Sequence, residues 1–314
     1  MRGKLVASIA VVLCSVLQGC SSSPAVEQSS RSVLIEPEVL AQALGSPSGN
    51  VRPVLLDARK LEEYGPAHAI GAQWLDMHDW TEASRAGDGP GQGLNDQQSW
   101  SIRIGALGID KHTPVIVYDE GGMTSAARAW FILRQCGVAD VRVVNGGWSI
   151  LCPVLESSPL EPSLVQAGNP GDFAPTGFAA AHPGRVTTRD ELKQIALEHS
   201  QPIIDVRTAD EFNGNVKAQE GRRVGHVPSA ANLPHKQMLD EKGRLRSPEE
   251  LRTLFASTGA ESDQPAVLYC QSGGRAALAA LAAEYAGLTQ VSVYYMSMGE
   301  WLGDSSCPVE PATK

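Results

Sequence analysis

Two stretches of this chain, about 150 residues apart, carry the same pattern. PVLLDARKLEEYGPAHAIGAQWLDM runs from Pro53, and PIIDVRTADEFNGNV runs from Pro202, with GHVPSAANLPHKQML following from Gly225. PVIVYDEGG (residues 114–122) is answered by PAVLYCQSGG (265–274), and VRVVNGGWSILCPVLE (141–156) by VSVYYMSMGEWLGDSSCPVE (291–310). Tyr118-Asp119 and Tyr269-Cys270 stand 151 residues apart. A period this long marks a duplicated domain rather than a solenoid unit. Whatever fold one half takes, the other must take as well. With 314 residues, the chain is long enough for two such domains, each with its own core.

Each half alternates short apolar runs with helical stretches. Residues 54–56, 115–118 and 141–144 read as strands in the first half, and 203–206, 266–269 and 291–294 in the second. These runs are brief and continuous, as strands buried on both faces require. Between them, 125–135 and 276–285 carry Ala, Leu and Arg at helical spacing. The pattern predicts an α/β fold with two domains, each a mostly parallel sheet flanked by crossover helices. The domains are expected at 33–156 and 186–314. Residues 157–185, rich in Pro, Gly, Ser and Ala, read as a linker between them.

The chemistry is expected at Cys270. It closes the strand AVLYC and opens the loop Gln271-Ser272-Gly273-Gly274-Arg275 ahead of a helix. Two glycines let the backbone curl so that successive N–H groups point inward and form an anion-holding nest. The helix directs its positive end at the same loop. Both effects favour the thiolate, which is the nucleophilic form. The carboxyl end of a parallel strand is also where α/β folds place their ligands. A buried, inert cysteine is the competing reading of this residue taken alone.

From residue 33 to residue 309 the chain resembles a tandem rhodanese, the thiosulfate and 3-mercaptopyruvate sulfurtransferase family. The second half carries the family's opening motif as Asp205-Val206-Arg207 with Glu211-Phe212, then GHVPSAANLP (225–234), the loop CQSGGR and the closing Gly299-Glu300-Trp301. In the first half, YDEGGMTSAARAWFILR resembles the inactive partner domain of such enzymes, with Asp119 at the cysteine position. The resemblance implies that Cys270 takes the outer sulfur of a donor as a persulfide, held by the amides of residues 271–275. A thiol or cyanide then removes it. Asp119 carries no sulfur, so the first domain is expected to shape one wall of the cleft. Asp205 and Arg207 are expected to support the site by pairing with each other or with loop carbonyls. His226 is expected to make a backbone hydrogen bond, and Trp148 and Trp301 to fill the core.

Two departures bear on the donor. Thiosulfate enzymes carry an arginine where this chain has Glu211, and a lysine where it has Ser272. Ser272 is closer to the mercaptopyruvate enzymes, yet their loops continue Gly-Val-Thr rather than Gly-Gly-Arg. Arg275 either supplies a replacement charge for an anionic donor or forms an outward salt bridge. A phosphatase or arsenate reductase of similar fold needs five residues between its Cys and Arg, and here four intervene. A non-catalytic persulfide carrier or redox-sensing binding protein is the alternative function.

The leader stands apart from the fold. Arg2 and Lys4 precede an apolar run at 5–17 that is too short for a comfortable membrane span. It ends in Leu17-Gln18-Gly19-Cys20, which resembles a bacterial lipobox. That implies a signal peptide at 1–19, lipid on Cys20, and a tether at 20–32. A plain secretory signal is the other reading. Ser21 resembles the outer-membrane sorting class, which implies the periplasmic face of that membrane. Cys136, Cys152 and Cys307 read as structural, with a disulfide between the latter two left open. A net charge of −9 repels phosphate backbones, so nucleic acid is not expected as a partner. No metal, nucleotide or flavin motif is present, no cofactor is expected, and a monomer suffices for two domains around one cleft.

Overall fold

The computed structural model describes residues 32–45, 53–87, 92–158, 165–166, 186–216 and 223–310. The expected signal peptide, Cys20 and nearly all of the expected tether lie outside these, as does most of the expected linker. Residues Val33–Lys314 form one compact unit that contains both repeats. Among the described residues, no helix is long and apolar enough to cross a membrane.

The first repeat contributes β1 (Leu34–Ile35), β2 (Val54–Asp57), β3 (His68–Ala69), β4 (Ala72–Trp74), β5 (Val115–Tyr118), β6 (Val141–Val144) and β7 (Val165–Gln166). The second contributes β8 (Ile203–Asp205), β9 (Ala231–Asn232), β10 (Ala266–Tyr269) and β11 (Val291–Val293). One sheet has the order β1-β6-β5-β2-β4 and the other β11-β10-β8-β9. Every pairing within these two sheets is parallel. The duplication is visible pair by pair: β5–β2 matches β10–β8, and the parallel bridge Val186–Val293 stands where β1 pairs with β6.

β7 lies within 157–185, the stretch read above as a linker. Val165 and Gln166 pair antiparallel with Ala69 and His68 of β3. The second repeat does the same with its own tail, through the antiparallel bridge His226–Glu310. Neither pairing shows in hydrophobic periodicity, because two-residue strands are too short to have one.

The central strands are buried on both faces, as in β5 (VIVY) and β10 (AVLY). On one face each sheet has its own smaller cluster. Leu55, Ile116 and Leu151 belong to the first, and Val267, Tyr294 and Trp301 to the second. On the other face the repeats share one core that joins Leu56, Val117 and Trp130 to Leu268, Leu278 and Tyr295. Its axis is the packing of helix Thr124–Gln135 on helix Gly274–Tyr285. Small side chains permit that approach: Ala276, Ala277, Ala279, Ala280, Ala282 and Ala283 are all buried. Most residues of both helices are buried, and the two occupy the middle of the protein.

Candidate active site

In each repeat the central strand delivers one residue to a loop that curls into a helix N-terminus. After β5 that residue is Asp119, and after β10 it is Cys270. The Asp119 carboxylate is enclosed by its own loop. Oδ1 accepts from the amides of Gly121 and Met123 at 3.1 and 3.2 Å, and Oδ2 from those of Ser125 and Ala126 at 2.9 and 3.1 Å. Burial pushes this carboxyl up, and the four N–H groups push back. The first loop is therefore an anion nest filled by its own side chain.

The second loop is built alike. Its helix begins in the same register, since Ala127 donates to the Met123 carbonyl and Ala277 to the Gly273 carbonyl. The residue before each helix is left-handed, Met123 at φ 58° and Gly273 at φ 94°. Gly273 needs to be glycine for a second reason. A Cβ there would lie 2.8 Å from the Tyr295 carbonyl oxygen and 2.9 Å from its ring. With no carboxylate in this loop, the Gly273 amide donates to Cys270 Sγ at 3.1 Å. The helix register puts the amides of Arg275 and Ala276 where Ser125 and Ala126 serve Asp119.

Ser297 supports the sulfur from behind. Its hydroxyl oxygen accepts from the Cys270 amide at 3.1 Å and lies 3.9 Å from Sγ, while the hydroxyl donates to the Tyr294 carbonyl at 2.8 Å. Met298 and Gly299 then donate to the carbonyls of Cys270 and Gln271 at 3.1 and 2.9 Å. In the first repeat Trp148 and Ser149 bind Asp119 and Glu120 in the same way, which makes Gly147 the counterpart of Ser297. Both are left-handed, at φ 64° and 58°. A serine in that region is strained by about 1–2 kcal/mol relative to glycine, and it stands only where there is a sulfur to support. Sequence reasoning missed Ser297, because a serine one residue before a core methionine carries no signal of its own.

The first domain reaches into this loop through Arg128, also missed. Its Nη2 donates to the Ser272 carbonyl at 2.9 Å, and its Nη1 donates to the Tyr295 hydroxyl at 3.3 Å. Ser84 meets the same Tyr295 hydroxyl at 2.8 Å. Arg128 also accounts for Gly274, where a Cβ would come within 2.8 Å of its Nη2. An inter-repeat contact has no sequence period to reveal it. A cleft beside this segment lies between Ser84, Gly87 and Leu94 on one side and Tyr295, Met296 and Glu300 on the other. Cys270 itself is 1% exposed.

The remaining expected site residues take these places. Arg207 pairs with Asp205, Nη2 to Oδ2 at 2.6 Å and Nε to Oδ1 at 3.0 Å, and also donates to the Gly225 carbonyl at 2.8 Å. Asp57 and Arg59 repeat that pair in the first half. Arg275 does not stand free for a donor. Its guanidinium forks onto Glu211, at 2.6 and 2.8 Å. Gln271 and Ser272 supply loop carbonyls that are held by Gly299 and Arg128. His226 Nδ1 donates to the Phe212 carbonyl at 3.0 Å, and its ring stacks on that of Phe212. Trp148 and Trp301 are buried. Cys136, Cys152 and Cys307 are free thiols, not a disulfide, and burial pushes all three up, Cys136 to about 12.

Burial opposes charge on Glu211, but the Arg275 guanidinium and the Thr208 amide overcome it and hold the carboxyl at about 2. A carboxyl lowered on folding stabilises the fold above its unfolded pKa and loses that contribution as pH falls through its folded one. Glu211→Gln is therefore expected to lower the urea midpoint at pH 7. The gap to the unaltered protein should narrow between roughly pH 4.5 and 2. A gap that is constant from pH 7 to pH 2 would show that the pair contributes nothing through its charge.

The fold and loop together define a class: duplicated α/β proteins with one anion-nest loop carrying a cysteine and one plugged by a carboxylate. The family model for the rhodanese-like domain matches residues 37–150 and 188–304. The chain is 32% identical over 260 residues to 3-mercaptopyruvate sulfurtransferase of Escherichia coli strain K12, covering 81% of this chain and 87% of that protein. It is 30% identical over 253 residues to thiosulfate sulfurtransferase of Gallus gallus, covering 78% and 81%. The crystal structure of a 3-mercaptopyruvate enzyme from Escherichia coli superposes with a TM-score of 0.69 at 26% identity, over 85% of this chain and 98% of that one. The chain belongs to the rhodanese family, as a tandem of two rhodanese-like domains.

Proposed function

We propose that this protein is a sulfurtransferase that moves sulfane sulfur from thiosulfate or 3-mercaptopyruvate to a thiol or cyanide through a persulfide on Cys270. One observation carries the reading: the Gly273 amide reaches Cys270 Sγ in a loop that matches the one closed around the Asp119 carboxylate. Where the first loop holds an anion of its own, the second turns the Gly273 amide to the sulfur and leaves the amides of Arg275 and Ala276 for the charge that forms during a reaction. The thiolate attacks the donor's outer sulfur, so the Cys270 S–S bond forms. The donor's bond to that sulfur breaks, and sulfite or the pyruvate enolate leaves with the electron pair. The new negative charge lies on the terminal sulfur, one atom beyond Sγ, towards the helix amides. An acceptor thiolate or cyanide then takes that sulfur and the Cys270 thiolate returns, which gives ping-pong kinetics. The names of the relatives, which include both mercaptopyruvate and thiosulfate enzymes, support this donor class.

The test offers each donor separately to protein that starts after Cys20, and reads intact mass and transfer to cyanide and to a thiol. Gain of one sulfur with turnover is expected, and the faster donor is the better substrate. A persulfide without turnover would replace the enzyme by a carrier or sensor. No sulfur uptake from either donor would remove the chemistry.

We further propose that the chain is a lipoprotein anchored through Cys20, on the periplasmic face of the outer membrane. The support is the Leu17-Gln18-Gly19-Cys20 sequence after an apolar run, and Ser21 next to it. Metabolic labelling with a fatty acid is expected to mark the full-length chain in bacterial membranes and not its Cys20→Ala variant. Equal labelling of both would refute the anchor.

A further inference from the structure

Three arginines surround the Cys270 loop, and two of them are engaged. Arg275 is neutralised by Glu211. Arg128 is held by the Ser272 carbonyl and the Tyr295 hydroxyl. The third, Arg85, comes from the first repeat, where it ends the helix Met77–Ser84. Its Nη2 stands 2.9 Å from the point a Gly299 Cβ would occupy, and the Gln271 carbonyl oxygen lies 3.1 Å from the same point. The guanidinium therefore lies on bare glycine backbone, beside the residue that follows Cys270. Among the described residues it has no hydrogen-bond or ion-pair partner. The carboxylate next to Gly299, Glu300, is taken up by the Tyr294 hydroxyl at 2.6 Å and by Arg189 at 3.7 Å.

Its position is set rather than incidental. The preceding residue, Ser84, is buried and bonded to Tyr295 across the repeats. The Arg85 amide closes the helix on Ala83 and Glu82. Ser84 and Gly87 line the interdomain cleft on either side of it. A half-buried guanidinium with its donors unused is a partial site: five N–H groups in a rigid fork suit two oxygens of one oxyanion.

We propose that Arg85 binds the oxyanion end of the sulfur donor, the sulfonate of thiosulfate or the carboxylate of 3-mercaptopyruvate. The identity of the donor rests on the sulfurtransfer reading above. The first domain then does more than wall the cleft: it supplies the charge that Arg275, tied to Glu211, does not. Gly299 is part of the same device, since any side chain there displaces the guanidinium.

The test measures binding, so it does not depend on turnover. Thiosulfate and 3-mercaptopyruvate are each titrated calorimetrically into the full chain carrying Cys270→Ser, with Arg85 intact, as Arg85→Ala, as Arg85→Lys, and with Gly299→Ala instead. Loss of a charge-assisted pair of hydrogen bonds should weaken binding at least about 10-fold in Arg85→Ala. Arg85→Lys should lose less, and Gly299→Ala should weaken binding with the charge still present. An effect on one donor alone names the oxyanion. Equal affinity with and without Arg85, at equal urea midpoints, overturns the proposal, as does no binding of either donor with Arg85 intact. Arg85-dependent binding with no sulfur uptake by the unaltered protein would keep the anion site and reject the sulfurtransfer chemistry.

Discussion

Replacing Cys270 with serine is expected to abolish sulfur uptake and to lower turnover by roughly 10^4-fold or more, the scale on which loss of a nucleophile acts. The hydroxyl is nearly isosteric, so the Gly273 amide and Ser297 keep a partner and the fold is undisturbed. What is lost is the nucleophilic sulfur, the atom that can carry a second sulfur. Asp119 cannot compensate, because its four amide bonds fix a carboxylate that has no sulfur chemistry. Intact mass after donor treatment, with turnover to cyanide, decides the matter. If the serine variant still gains one sulfur, the persulfide is on another cysteine. Cys136, Cys152 and Cys307 are poor candidates, since burial holds their thiols protonated.

The largest expected effect on stability comes from Asp205→Ala. Asp205 is fully buried, and the Arg207 side chain is 4% exposed. Removing the carboxylate strands a buried guanidinium whose remaining acceptor among the described residues is the Gly225 carbonyl. Breaking one side of such a pair costs about 3–5 kcal/mol, whereas replacing both partners with apolar groups costs far less. Asp205→Ala is therefore expected to unfold at a much lower urea concentration, and the double variant Asp205→Ala, Arg207→Met to regain part of the loss. A single-variant loss below about 1 kcal/mol would mean that water reaches Arg207. The pair ends β8 next to Tyr269, so its loss should also loosen the strand that delivers Cys270.

Asp205 and Arg207 show how far local sequence reasoning carries. A buried strand end followed two residues later by an arginine allows little besides a mutual pair, and that pair is present in both repeats. His226 was readable for a similar reason, since its partner is a backbone carbonyl close by in the fold. Arg275 was not readable. Its two possible roles differed only in whether Glu211, 64 residues earlier, lay within reach, and it does. Arg128, Ser84 and Arg85 were invisible because they act across the repeat boundary on a loop more than 140 residues away.

The sequence by itself determined the duplication, the parallel α/β architecture and the position of the cysteine loop. Each rests on features that act within a few residues: continuous apolar runs for strands buried on both faces, glycines where a loop turns left-handed, and a helix start beside them. Only the tertiary structure decided how the charges around the cysteine loop are used. It neutralised Arg275 with Glu211, set Arg128 on Ser272 and laid Arg85 over Gly299. Charge pairing depends on distances of a few ångströms between groups far apart in the chain, and those distances exist only once the two Ala-containing central helices have packed together.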